Sequence, residues 1–156
     1  MKTLNLNVDL NGMSYIGYAY SKLPLAAALV VAAQQIDEAA DAARVVVLGD
    51  PLRALEYECA ASEAKNFAAV SYSGEMPPSV KSWAEAAGLE PQAATDSIIA
   101  KADAWSAALY SIRDARLKGK HAVARADSHE QAEIEADKAI SKIKLSVTDA
   151  VNFSEA

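Results

Sequence analysis

Three groups of side chains in this 156-residue sequence have types and spacings that could do chemistry. His129, Glu133 and Asp137 stand at i, i+4 and i+8, so on a helix they drift slowly around one face, and the first pair could touch one divalent ion. Position 133 is Glu where a zinc-protease helix needs its second His, and the nearby Glu130 and Glu135 fit the group to a solvated acidic face. Glu56, Glu58 and Glu63 include a pair seven residues apart that shares a helical face. General acid–base work needs carboxylates in contrasting environments around a substrate, and nothing nearby suggests such a cleft. Gly119-Lys120 resembles the end of a phosphate-binding loop, but no glycine stands five residues earlier and a helical pattern precedes it. A Gly-x-Ser-x-Gly elbow is absent. Cys59 is the single cysteine, which excludes an internal disulfide and a multi-cysteine zinc site. Three glutamates around it disfavour a thiolate, so it reads as a small core residue. These residues assign no catalytic group, cofactor or metal, and the chain reads as a non-enzyme.

Charge and composition narrow the classes further. The chain carries 21 acidic and 15 basic residues, a net charge of −6, whereas a nucleic-acid groove needs concentrated positive charge. The one basic concentration is Arg113, Arg116, Lys118, Lys120 and Arg125, which spreads around much of a helix without interleaved aromatics. It reads first as charge balance, and next as a contact for an acidic protein segment. The longest charge-free apolar run, Leu23–Ala33, would reach about 16 Å as a helix, against about 30 Å of hydrocarbon. Val31-Ala32-Ala33 resembles a leader cleavage site, but the preceding 22 residues are too long, patterned and aromatic for one. A buried helix start and a cytoplasmic location are expected instead. With 52% apolar residues and 35 alanines, the composition points to a globular, mainly α protein.

The elements follow from periodicity. Leu4, Leu6, Val8 and Leu10 alternate with polar residues, and Asn11-Gly12 supplies the two positive-φ positions of a type I′ turn. The resulting hairpin over residues 3–20 pairs Leu10 with Met13, Val8 with Tyr15, Leu6 with Gly17 and Leu4 with Ala19 on one apolar face. Asn7 with Ile16, Asn5 with Tyr18 and Thr3 with Tyr20 occupy the other. A lone hairpin is marginal and exposes two edges, so its tyrosines serve either core packing or a partner surface.

Helices follow the hairpin. Pro24 opens one that runs through Ala43, and Arg44–Leu48 continues its phase, although the valines there would also suit a third strand. Gly49-Asp50-Pro51 ends that helix and caps the next, whose expected inner face is Leu52, Leu55, Cys59, Ser62 or Glu63, and Phe67. Ser71–Pro78 is a turn, followed by a short helix with Val80, Trp83 and Ala87 on one face; Trp83, like Trp105 of the next helix, reads first as a core residue. Pro91 opens the longest helix, with a seam of Ile98, Ala102, Trp105, Leu109, Ile112, Arg116 and Val123. Leu117 is expected to take the apolar role from Arg116, and Gly119 to bend or break the helix. Asp127-Ser128 caps a last helix, and Asn152–Ala156 is expected to form a frayed tail. The expected fold is thus mainly α: an N-terminal hairpin over 1–22 packed on four or five alanine-rich helices over 23–156 as one structural unit.

Three segments within residues 50–126 stand out together: DPLRALEYECAASEAKNF, YSGEMPPSVKSWAEAAG and AATDSIIAKADAWSAALYSIRDARLKGKHAV. In this order they resemble tail-fibre assembly proteins, the chaperones of tailed bacteriophages and related tail-like particles. The similarity covers about half of the chain and leaves the hairpin outside. The resemblance implies a non-enzymatic binder of a trimeric tail-fibre protein that assists folding or trimerisation. It also implies a place in the host cytoplasm during assembly, or retention in the virion tail. A structural tail or baseplate component and a small phage regulator of a host factor are the alternatives. The contact candidates are Tyr15, Ile16, Tyr18 and Tyr20 on the hairpin, and Trp105, Arg113 and Arg116 on the long helix. Independently of the resemblance, a hairpin edge can pair with a client strand by β-augmentation. Self-association through the Ile98–Val123 seam stays open.

Overall fold

A computed structural model describes residues 1–154 and is 74% helical, with an N-terminal antiparallel hairpin followed by five helices. The order is β1 (Leu6–Leu10), β2 (Met13–Tyr18), a 3-10 turn at Tyr20–Lys22, α1 (Leu25–Leu48), α2 (Pro51–Ala69), α3 (Pro78–Ala87), α4 (Pro91–Ala124) and α5 (His129–Ser154). The expected tail is helical as far as Ser154, and 155–156 lie outside the described residues. Packing groups the chain into two compact units, one of Met1–Val46 with Leu109–Asp149, the other built on Val47–Ala108. The hairpin therefore belongs with α1, the carboxyl-terminal part of α4 and α5.

The hairpin forms as the alternation dictates, with one change of register. Asn11 and Gly12 take φ of 53° and 79°, as a type I′ turn requires. Leu10 faces Met13, Val8 faces Tyr15 and Asn7 faces Ile16. A bulge then intervenes, so that Leu6 faces Tyr18 and not Gly17. Gly17 is the extra residue: its φ is +73°, and its N–H donates to the Asn7 side-chain oxygen at 2.9 Å. Side chains alternate with period two, so one inserted residue moves everything after it to the opposite face. Leu4, expected on the apolar face, is 69% exposed beyond the positive-φ Asn5.

In the first unit, Leu6, Val8, Tyr20 and Leu23 are buried together with Ala27, Ala28, Val31, Ala32, Ile36, Ala40 and Ala43 of α1. From α4 come Ile112, Ala115 and Val123, and from α5 Ala132, Ala136, Ala139 and Ile143. Half of these side chains are single methyl groups, which lets helix backbones approach closely. Gly119 marks one such close approach: a Cβ added there would collide with Ala139 Cβ and lie 3.3 Å from Ile36 Cδ1. The helix is not broken at Gly119, because close packing requires the missing side chain and α4 continues to Ala124. Arg44–Leu48 completes α1 and forms no third strand, and the described sheet has two strands.

In the second unit, Asp50 caps α2 by accepting the Leu52 N–H at 2.8 Å, with Pro51 in the first turn. Its core is Ala64, Phe67, Val80, Ala84 and Ala94, with Tyr72, Met76, Ile98 and Ile99 packed against it. Two expectations are corrected here. Leu52, Leu55 and Cys59 are exposed, because among the described residues only the carboxyl-terminal half of α2 is covered. Trp83 lies at the surface, with its Nε1 donating to Ser97 Oγ at 2.8 Å and Lys101 Nζ 5.4 Å from the ring centroid, while Ala84 takes the inner position.

Candidate partner-binding surface

The bulge at Gly17 decides how the hairpin presents its aromatic residues. Tyr18 faces Leu6 and so shares a face with Val8 and Tyr15. The Tyr15 and Tyr18 rings meet edge to face, 5.6 Å apart at 87°. Tyr15 is half-buried, its hydroxyl 3.8 Å from Met13 Sδ, and Tyr18 is 41% exposed. Ile16 stands on the opposite face beside Asn7 and is 74% exposed. Tyr15, Ile16 and Tyr18 are thus accessible, but the bulge moves Tyr18 from the face of Ile16, where a regular register puts it, to the face of Tyr15. The bulge had a sequence signal, a glycine inside an alternating strand.

Tyr20 leaves the candidate contacts altogether. It is 2% exposed, with its ring edge to face on His129 at 5.7 Å. Its hydroxyl has no hydrogen-bond partner among the described residues, and desolvation followed by the charge of Glu133 pushes its pKa up to about 12. His129 Nε2 lies 2.8 Å from the Leu23 carbonyl oxygen, tying the start of α5 to the chain entering α1. His129 and Glu133 are therefore set around a core tyrosine.

The α4 candidates differ from one another. Trp105 is half-buried and donates Nε1–H to the Val47 carbonyl at 2.8 Å, which makes it a packing residue of the second unit. Arg113 is exposed. Arg116 keeps its place in the seam, while Leu117, expected to replace it, is 46% exposed. The guanidinium is held by α1: Arg116 Nη1 donates to Asp37 Oδ1 at 3.0 Å, and Lys120 Nζ donates to Asp37 Oδ2. Desolvation raises the pKa of the Asp37 carboxyl, but hydrogen bonds and charge from Lys120 and Arg116 outweigh it and leave the group below the ordinary carboxylate range. Lys118 pairs with Asp114. Three of the five clustered cations are thus matched by carboxylates. Lys118, His121 and Arg125 also line an open groove of about 570 Å³ with Leu117, Gln131 and Glu135.

Strand β2 is the most unusual surface of the first unit. Residues 13–20 carry no formal charge, and Met13, Ile16 and Tyr18 are 60%, 74% and 41% exposed. Proteins blunt sheet edges with lysines, prolines, covering segments or bulges, and β2 has only the bulge at Gly17. No described helix is long and apolar enough to cross a membrane. No protein-family model, curated protein or solved structure matches this chain.

Proposed function

We propose that this protein is a non-enzymatic assembly factor of the tail-fibre chaperone kind, which holds an extended segment of a client polypeptide against the open edge of β2. The observation that carries this reading is the uncharged β2 strand with Met13, Ile16 and Tyr18 exposed and only the bulge at Gly17 to guard its edge. Main-chain hydrogen bonds along the edge would supply affinity, and the exposed Ile16 and Tyr18 would select apolar side chains on the client. The client class comes from the resemblance of residues 50–126 to tail-fibre assembly proteins. Strands that such a client left exposed before its chains met would be open to aggregation, and covering them would oppose it.

Co-expression with a trimeric tail-fibre protein tests the proposal. Soluble trimer is expected to accumulate only when this chain is present, and Ile16→Lys is expected to lower the yield while leaving the helical circular dichroism intact. Equal trimer yield without this chain would overturn the proposal, and full activity of a folded Ile16→Lys variant would remove β2 as the contact.

A further inference from the structure

We infer that the amino-terminal half of α2 is a second docking surface, one that takes a basic amphipathic helix of a partner protein. Leu52, Leu55 and Cys59 are spaced i, i+3 and i+7, within about 60° of one another at 100° per residue. That spacing normally faces a core. Here Leu52 is 71% and Leu55 60% exposed, and Cys59 is exposed as well. The stripe stands on a fixed platform. Asp50 caps its first turn. The following turns are anchored by Ala64 and Phe67 in the core, by Glu63 accepting the Ser79 N–H at 2.9 Å, and by Lys65 pairing with Asp103 at 2.9 Å. A helix held at its far end and bare along its first turns is pre-organised for a second helix to lie against it.

The flanking charges select the occupant. Glu56 lies on one side of the stripe and Glu58 on the other; both are exposed, and neither joins a described ion pair. A partner helix with leucines at matching spacing and Lys or Arg beside them would pair with both carboxylates. A second copy of α2 would instead bring its own glutamates against these, and like charges facing each other oppose association. An anionic lipid surface is disfavoured for the same reason. This surface lies wholly in the second unit, on α2, and does not depend on the strand-capture reading of β2.

The full-length protein is titrated with a 15-residue helical peptide of leucine, alanine and lysine, its leucines at i, i+3 and i+7. A matched peptide carries Glu in place of Lys. Backbone amide shifts of the isotope-labelled protein locate the contact. The Lys peptide is expected to shift resonances across residues 52–59, to bind at least about tenfold tighter than the Glu peptide, and to weaken as salt rises. Leu55→Ser is expected to lower its affinity about tenfold, and Glu56→Lys with Glu58→Lys to reverse the preference between the peptides. Ile16→Lys is expected to leave this binding unchanged, which separates it from the fate of the β2 proposal. Absence of shifts at 52–59, equal affinity for both peptides, or unchanged binding by a folded Leu55→Ser variant would overturn the inference. So would sedimentation showing a dimer that Leu55→Ser dissolves, because the occupant would then be a second copy.

Discussion

At the scale of single residues, this protein is governed by how closely its helices approach. Gly119 costs α4 about 1 kcal/mol in helix propensity relative to Ala, yet a methyl group there would strike Ala139. Neither atom belongs to a flexible side chain, so the helices must separate, and overpacking of this kind costs about 1–3 kcal/mol. Gly119→Ala is expected to lower stability by a net ~1–2 kcal/mol in urea denaturation, and Ala139→Gly in the same chain to restore part of it. Tyr20 carries the opposite lesson, a buried hydroxyl with no partner among the described residues. Its folded pKa of about 12 stands above the ordinary tyrosine value of 10.0. The folded state therefore keeps a proton that the unfolded chain releases, and the stability this represents is present below pH 10 and lost as pH rises towards 12. Tyr20→Phe is expected to raise stability at neutral pH by about 1 kcal/mol, since it removes an unsatisfied polar group. It is also expected to flatten the fall between pH 10 and pH 12, measured by denaturation across that range.

At the scale of elements, the sequence carried the pattern well and the phase less well. Asn11-Gly12 fixed the turn, Gly49-Asp50-Pro51 fixed the junction of α1 and α2, and Pro91 marked the start of α4, because each is a local backbone constraint. The face of β2 beyond residue 16 was not legible from alternation alone, since alternation assumes that no residue is inserted. Gly17 tolerates a φ of +73° that costs an L-residue about 1–2 kcal/mol. Gly17→Ala is expected to destabilise the hairpin by that amount and to disturb the Tyr15–Tyr18 ring contact, seen as loss of their inter-ring nuclear Overhauser effects. Helix α2 shows the same limit. Its Leu52–Leu55–Cys59 spacing reads as a buried face, but periodicity reports an apolar stripe and not what covers it.

At the scale of the whole molecule, the net charge of −6 coexists with two apolar surfaces of different kinds. On the hairpin the exposed strand is uncharged, so the strand capture proposed for it would rest on main-chain hydrogen bonding and not on charge. On α2 the stripe is bordered by glutamates, so charge sign becomes a selector. The basic residues of α4 that looked available as a patch are largely taken up within the fold: Arg116 and Lys120 by Asp37, and Lys118 by Asp114. Of the hairpin and α4 contact candidates, Ile16, Tyr18 and Arg113 lie exposed, while Tyr20 and Trp105 serve packing.

The amino-acid sequence by itself determined the mainly α class, the hairpin and its turn, and the junctions between helices. These rest on local propensity, capping and positive-φ residues that act within a few positions of the chain. Only the tertiary structure decided that Leu117 faces outward while Arg116 stays in the seam. It alone decided that Gly119 is a point of close packing and that, among the described residues, half of α2 is left bare. Each of these depends on which distant side chain arrives opposite, and a pattern along one helix does not encode its neighbour.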